Sequence, residues 1–192
     1  MQIEFEAKFF VKLPQFYTVL QKCGAQKIKE KRLMKRVLFK NPKLIHSMFR
    51  VRHEGVDRVT LSYKTYDPSK TIDSVQELEI VIDNFDKGCQ MLTILGLQKI
   101  RYVENYRETY KIDDCEVMID WWPALEPFVE IEGTSQKSVE MVVKKFCFSM
   151  EDARYGPTAL LYQEIYGISR EQFEQISELT FQKIPELLRC KQ

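Results

Sequence analysis

Strand-like segments with one apolar face and one face of fixed charge recur along this chain, and few folds can accommodate that pattern. In the first, Glu4, Glu6 and Lys8 alternate with Ile3, Phe5, Ala7 and Phe9. Arg50 and Arg52 alternate with Phe49 and Val51, Lys64 follows Val59, Leu61 and Tyr63, Glu77 and Glu79 sit among Leu78, Ile80 and Ile82, and Glu130 and Glu132 flank Ile131. Successive side chains of a strand point to opposite faces, so each segment offers one apolar and one charged surface. For any single strand, a solvated outer face would account for this. Sorting by sign is harder to accommodate, because Glu4/Glu6, Glu77/Glu79 and Glu130/Glu132 are like-charged neighbours about 7 Å apart on one face. At an effective dielectric near 20 such a pair repels by about 2 kcal/mol. A fold that repeats this repulsion must offset it, which points to charged faces turned inward around a shared polar site.

The remaining punctuation fits that picture. Phe16, Val19 and Leu20, with Pro14 near the start and Gly24 after the end, predict a helix over Pro14 to Cys23. The Lys- and Arg-rich stretch from Gln26 to Phe39 favours a strand at Val37, Leu38 and Phe39 that ends before Asn41-Pro42. Ser47 to His53 and Arg58 to Tyr66 predict a hairpin turning near Glu54-Gly55, and Val75 to Asp83 predicts a strand followed by a helix from Phe85 to Leu95. Lys99 to Ile112 and Glu116 to Trp121 form a second hairpin at Asp113-Asp114, and Phe128 to Glu132 is the last strong strand. Gln136 to Phe146 reads as a helix, with further helical segments after Pro157 and Ser169. About eight strands with helices between them predict an α+β fold. Its core is a closed or nearly closed eight-stranded antiparallel β-barrel, a tunnel with a charged interior and helices packed outside, covering Ile3, Phe5, Leu61, Leu78, Ile80, Val129 and Ile131.

Length and composition bound the rest. The 192 residues suit one domain over 1–192, with a helical segment from about 157. The 29 Lys and Arg nearly cancel the 28 Asp and Glu, so the net charge of +1 gives no global attraction to nucleic acid or membrane. The basic run Lys27, Lys29, Lys31, Arg32, Lys35 and Arg36 reads as a solvated strand edge rather than a nucleic-acid surface. Five scattered cysteines without a Cys-x-x-Cys pair argue against a disulfide framework or a thiolate zinc site, and suggest reduced thiols in a cytoplasmic protein. No apolar run has the length of a signal peptide core or a membrane span.

Clusters of carboxylates select hard, oxygen-seeking ions, so Mg²⁺ or Mn²⁺ is expected in preference to zinc, and His46 and His53 stand apart from the Glu pairs. Cations on one side with Lys8, Arg50, Arg52, Lys64 and Arg107 on the other would suit a phosphate chain. The seven glycines form no phosphate-binding loop, so side chains must supply the contacts.

These residues resemble a known family. Glu4-Phe5-Glu6-Ala7-Lys8 is similar to the E-x-E-x-K signature of the CYTH superfamily, the triphosphate tunnel metalloenzymes. The resemblance continues in order through Arg50 and Arg52, Lys64, Glu77 and Glu79, Arg107, Asp120, and Glu130 and Glu132. Asp120-Trp121-Trp122-Pro123, Glu132-Gly133 and Tyr166-Gly167-Ile168 resemble the bacterial branch labelled class IV adenylate cyclase-like. The resemblance implies an eight-stranded tunnel holding a triphosphate. Glu4, Glu6, Glu130 and Glu132 would be metal ligands, Glu77, Glu79 and Asp120 further ligands or carboxylates behind them, and Lys8, Arg50, Arg52, Lys64 and Arg107 phosphate-binding residues. Glu4, Glu6, Lys8, Glu130 and Glu132 would carry the catalysis. Many members carry Lys where this chain has Asn105, so that either Lys99 or Arg101 compensates or the phosphate clamp is weaker, and Arg36 adds positive charge at one mouth where some relatives have an acidic or neutral residue.

The expected function is metal-dependent hydrolysis of a small-molecule triphosphate, inorganic, organic or nucleoside, with metal-activated water attacking the terminal phosphorus. Two alternatives stay open: cyclisation of ATP to cyclic AMP and pyrophosphate, and a non-catalytic polyphosphate or nucleotide binding module. The residues leave the oligomeric state open between monomer and homodimer.

Overall fold

A computed structural model describes residues 1–55, 58–69 and 71–189. Its elements, among these residues, are β1 (Gln2–Phe10), α1 (Leu13–Lys22), β2 (Gln26–Lys40), β3 (Ser47–His53), β4 (Val59–Tyr66), β5 (Val75–Ile82) and α2 (Phe85–Ile94). They continue with β6 (Gln98–Ile112), β7 (Cys115–Trp121), β8 (Phe128–Gly133), α3 (Gln136–Lys145), α4 (Ala159–Tyr166), α5 (Arg170–Glu174) and β9 (Glu178–Leu179). Strands pair in the order β2-β3-β4-β5-β1-β8-β7-β6, and β6 returns to β2, so eight antiparallel strands close into a barrel with helices outside. This is the α+β tunnel architecture that the charged strands predict; the seam between β1 and β5 is short, three residues against three, and past it Lys8 of β1 bridges to Arg154.

Closure changes the meaning of the basic run. β2 is a single strand of 15 residues, paired with β3 on one side and β6 on the other, not an edge. Two of its outward lysines have partners: Lys27 lies 2.8 Å from Glu108, and the Lys31 ammonium sits 3.8 Å from the centre of the Trp121 ring. Arg32 and Arg36, on the opposite parity, line the interior.

The outer apolar faces are covered in three places. α3 lays Val139, Val142, Val143 and Phe146 over Ala7, Val117, Ile119, Val129 and Ile131, and Phe16 of α1 meets Phe146 edge-on at 5.4 Å. α2 buries Leu92 against Val37, Phe39, Val51 and Val59. The cover expected over Ile3, Leu78 and Ile80 is not there; these remain 44%, 55% and 52% exposed. α2 packs against β3 and β4 and meets β5 at Ile82, which leaves Leu78 and Ile80 on the outer face of β5 open to solvent.

The third cover comes from the C-terminal segment. β7 ends at Trp121, opposite Tyr106, so the first part of β6 has no β7 beside it. β9 takes that place, running parallel to β6 with Tyr102 opposite Glu178 and Val103 opposite Leu179. α4 and α5 form after Pro157 and Ser169 as the sequence predicts, whereas this short strand was not predicted. Tyr162, Phe173, Ile176, Leu179 and Leu188 pack with Val103 and seal that end of the wall. No described helix is long and apolar enough to cross a membrane.

Candidate active site

The barrel encloses a cavity of about 1050 Å³. Around it the charges are sorted by strand. On β1, β8 and β7, Glu6 stands directly opposite Glu132, and Glu132 opposite Glu116. On β6, β2 and β3, Arg107 stands opposite Arg32, and Arg36 opposite Arg52. Like charges facing one another in register are destabilising, and here they form an acidic wall and an arginine wall. β4 and β5 join the two, with Lys64 opposite Glu77.

Part of the repulsion expected from the sequence is offset by the walls themselves, because the strand order sets the β5 acids beside the β4 bases and one strand away from those of β3. Arg50 reaches Glu77 at 2.8 Å and Glu79 at 3.3 Å, Arg52 reaches Glu79 at 3.0 Å, and Lys64 reaches Glu4 at 2.6 Å and Glu77 at 3.2 Å. Lys8 donates to Glu6 at 2.6 Å. Arg107 grips Asp120 through Nε at 2.8 Å and Nη2 at 2.6 Å, and meets Glu130 at 3.2 Å. The structure therefore brings Glu4, Glu6, Lys8, Arg50, Arg52, Lys64, Glu77, Glu79, Arg107, Glu130 and Glu132 onto one cavity surface. Asp120 is fully buried behind that surface.

The pairing is incomplete. The Nε atoms of Arg32, Arg36, Arg50 and Arg52 are buried with no hydrogen-bond partner among the described residues. A buried donor without an acceptor costs about 1–3 kcal/mol, so the arginine wall is short of acceptors. The acidic wall shows the opposite deficit. Glu4 is pushed up to about 9, first by burial and then by its hydrogen bond with Glu77. Glu77 falls below the usual carboxylate range; burial opposes this, but the hydrogen bond from Glu4, with Arg50 and Lys64, outweighs it. Glu6 is pushed up to about 7, foremost by burial against the pull of Lys8, and it shares a hydrogen bond with Glu130. Glu130 is lowered in return, Lys8 and Arg107 overcoming its burial, and Glu132 is raised by burial and then by Glu130. Each carboxylate pair holds a proton where a cation could sit. Lys8 stays charged, because Glu6 and Glu130 outweigh its burial.

Several interior residues escaped the sequence reading. Glu54, read as a turn residue, is 2% exposed and lies 2.9 Å from Arg52 and 3.3 Å from Arg32. Its parity with Arg50 and Arg52 was the available signal. Glu116 and Trp122 also line the cavity. The compensation expected from Lys99 or Arg101 does not come from either. Lys99 is exposed, and Arg101 donates to the carbonyls of Ile176 at 2.6 Å and Phe173 at 2.5 Å, anchoring the C-terminal segment. The cation beside Asn105 is Arg36, whose Nη2 donates to the Asn105 side-chain oxygen, while the Asn105 amide donates to Asp120 at 2.8 Å.

The sequence profile of the CYTH domain matches residues 2–159, most of the chain. The chain belongs to the CYTH family. Solved structures place the CYTH barrel in wide company. The PH1012 protein of Pyrococcus horikoshii OT3 superposes with a TM-score of 0.70 at 19% identity, over 79% of this chain and 94% of that one. A Vibrio parahaemolyticus protein provisionally named an adenylate cyclase gives 0.70 at 15% identity, over 87% and 99%. HpAC1 from Hippeastrum, an adenylyl cyclase by provisional name and described as having a dominant triphosphatase activity, gives 0.54 at 16% identity, over 97% and 99%. At these identities the likeness is one of fold. No curated protein matches the sequence.

Proposed function

We propose that this CYTH protein is a metal-dependent triphosphatase. The observation that carries the reading is the sorted interior, an arginine wall with four partnerless buried Nε donors facing a wall of Glu6, Glu116, Glu130 and Glu132. Lone acceptor-rich ligands would satisfy the first wall but not the second; a polyphosphate accompanied by cations satisfies both.

The donor set fits such a cation in kind. It is all carboxylate, it contains pairs already close enough to share a proton, and it suits Mg²⁺ or Mn²⁺. Among the described residues no three acidic, His or Cys side chains converge on one point, and several of the carboxylates are engaged by interior Lys and Arg. Glu4, Glu6, Glu130 and Glu132 are the residues that would hold the ion, with Glu77 and Glu79 beside them. When bound, the ion supplies Lewis-acid neutralisation of phosphate oxygens and makes water a stronger nucleophile.

The chain's own residues do the rest. Arg50 and Arg52 present guanidinium groups suited to phosphate oxygens two at a time, Arg107 adds a guanidinium charge held by Asp120, and Lys8 and Lys64 add compact charges that burial does not remove. Held this way, the phosphate chain lies in a low-dielectric cavity where charge developing on the departing group is stabilised by dipoles and cations already in place. Asp120 takes no place on the cavity surface; it fixes the orientation of Arg107 from behind.

Apolar residues Leu38, Met48, Ile100, Leu160 and Phe173 line the same cavity as the charges. That surface gives inorganic triphosphate nothing to contact, so it favours a triphosphate carrying a small organic group. It also keeps ATP cyclisation as the second reading, since an attacking ribose hydroxyl needs the organic group held nearby. The two are separated by incubating the protein with inorganic triphosphate, thiamine triphosphate and ATP in Mg²⁺ or Mn²⁺, measuring phosphate, pyrophosphate and cyclic AMP separately. Phosphate release is the expected result, and pyrophosphate matched by cyclic AMP would replace the hydrolase with a cyclase.

A further inference from the structure

Arg36 stands out among the buried cations of the cavity. Arg50, Arg52 and Arg107 each have a carboxylate within 4 Å, Lys8 and Lys64 have Glu6 and Glu4, and Arg101 is held by two backbone carbonyls. Arg36 is 6% exposed and lines the cavity with neither kind of partner among the described residues. Its Nη2 reaches only the neutral side chain of Asn105, its Nε has no acceptor, and its guanidinium lies 4.9 Å from the centre of the Trp122 ring. In register it faces Arg52.

A buried arginine with no counter-ion, placed against another arginine, is costly unless an anion completes the site. Burial and the nearby Arg50, Arg52 and Arg107 all act against its charge. Arg36 is nevertheless well oriented: Asn105 ties one nitrogen and is itself tied to Asp120, the carboxylate that holds Arg107. The same network thus positions two guanidinium groups on the arginine wall. We infer that Arg36 is a substrate-binding residue that takes a phosphate group of the triphosphate on the Trp122 side of the cavity, doing from β2 what a basic residue at position 105 would do from β6. This rests on the triphosphate reading above.

Trp122 makes the inference testable apart from turnover. The chain has two tryptophans, so Trp121→Phe leaves Trp122 as the only indole. In that background, with chelator present so that no hydrolysis intervenes, inorganic triphosphate is titrated while Trp122 emission is followed. Arg36→Gln should raise the Kd about tenfold, Arg36→Lys by less, and Arg52→Gln serves as the reference for a residue of the wall. The ligand-free melting temperature of Arg36→Gln should equal or exceed that of its parent, because a repelled buried charge is removed. If Arg52→Gln weakens binding and Arg36→Gln does not, Arg36 is not a substrate residue and the triphosphate reading stands. A weaker Kd accompanied by a lower ligand-free melting temperature would make Arg36 structural and overturn the inference. Absence of binding by the parent both with chelator and with Mg²⁺ present would overturn both readings together.

Discussion

Glu4 and Glu6 keep protons at pH values where an ordinary carboxylate has lost them, and that ties the stability of the ligand-free protein to pH. Their folded values rise to about 9 and about 7 from an ordinary value near 4.5. Between those limits the folded state binds protons that the unfolded chain does not, so stability increases as pH falls through the window. Below about 4.5 the gain is complete, and Glu77 and Glu130, which are lowered, then begin to lose their own contribution as they protonate. The melting temperature of chelated protein should therefore rise as pH is taken from 9 to 5 and fall again below 4. A kcal/mol corresponds to roughly 2–4 °C at this size. Glu4→Gln should flatten the upper part of the curve, and a melting temperature that climbs steadily to pH 9 would show that the carboxylate pairs do not share protons. Much of this was legible residue by residue, since same-sign pairs on one strand face mark an interior under electrostatic strain. What was not legible was which charges meet: the pairing of Glu4 with Lys64 and Glu77 joins three strands, and the strand order β4-β5-β1, which no local pattern states, decides it.

At the level of elements, strands with alternating apolar and charged residues declared themselves, and strands with charge on both faces did not. β2 carries Lys27, Lys29, Lys31 and Lys35 beside Arg32 and Arg36, so its parity is masked and its role as a stave was hidden behind an edge-like composition. β9 is two residues long and owes its strand conformation to the vacancy beside β6, which no local pattern announces. The junction between β8 and α3 was readable only as a helix start after Gly133, yet it is among the tightest places in the fold. A Cβ at Gly133 would lie 2.5 Å from Ser138 Oγ, 2.8 Å from Cys115 Sγ and 2.9 Å from a Val139 methyl. Ser138 is fixed by the capping box it forms with Ser135, so it has little room to yield. Gly133→Ala should destabilise the protein by about 1–3 kcal/mol through overpacking, read as a lower midpoint in urea unfolding with an unchanged slope. An unaltered midpoint would show that α3 is free to shift away from the sheet.

For the molecule as a whole, the two walls imply that the ligand-free barrel is less stable than it could be. The deficit lies in unpaired donors on one side and crowded carboxylates on the other. A triphosphate with a divalent cation meets both deficits only in the folded state, so its binding free energy adds to folding. At a ligand concentration a hundred times Kd the gain is about 2.7 kcal/mol, which at roughly 2–4 °C per kcal/mol predicts a rise of about 5–11 °C in melting temperature. The two components should not act alike. Triphosphate alone engages the arginine wall but adds negative charge near Glu6, Glu130 and Glu132, and cation alone relieves the carboxylates while leaving the guanidinium groups unmatched. The shift with both present should therefore exceed the sum of the separate shifts, and it should persist when the cation is Mn²⁺ instead of Mg²⁺, since an all-oxygen donor set accepts either. Differential scanning fluorimetry over the four combinations decides the matter. Purely additive shifts would mean that the walls act as independent ion sites, and the cavity would then be a place where anions and cations bind separately, not one built to bring them together.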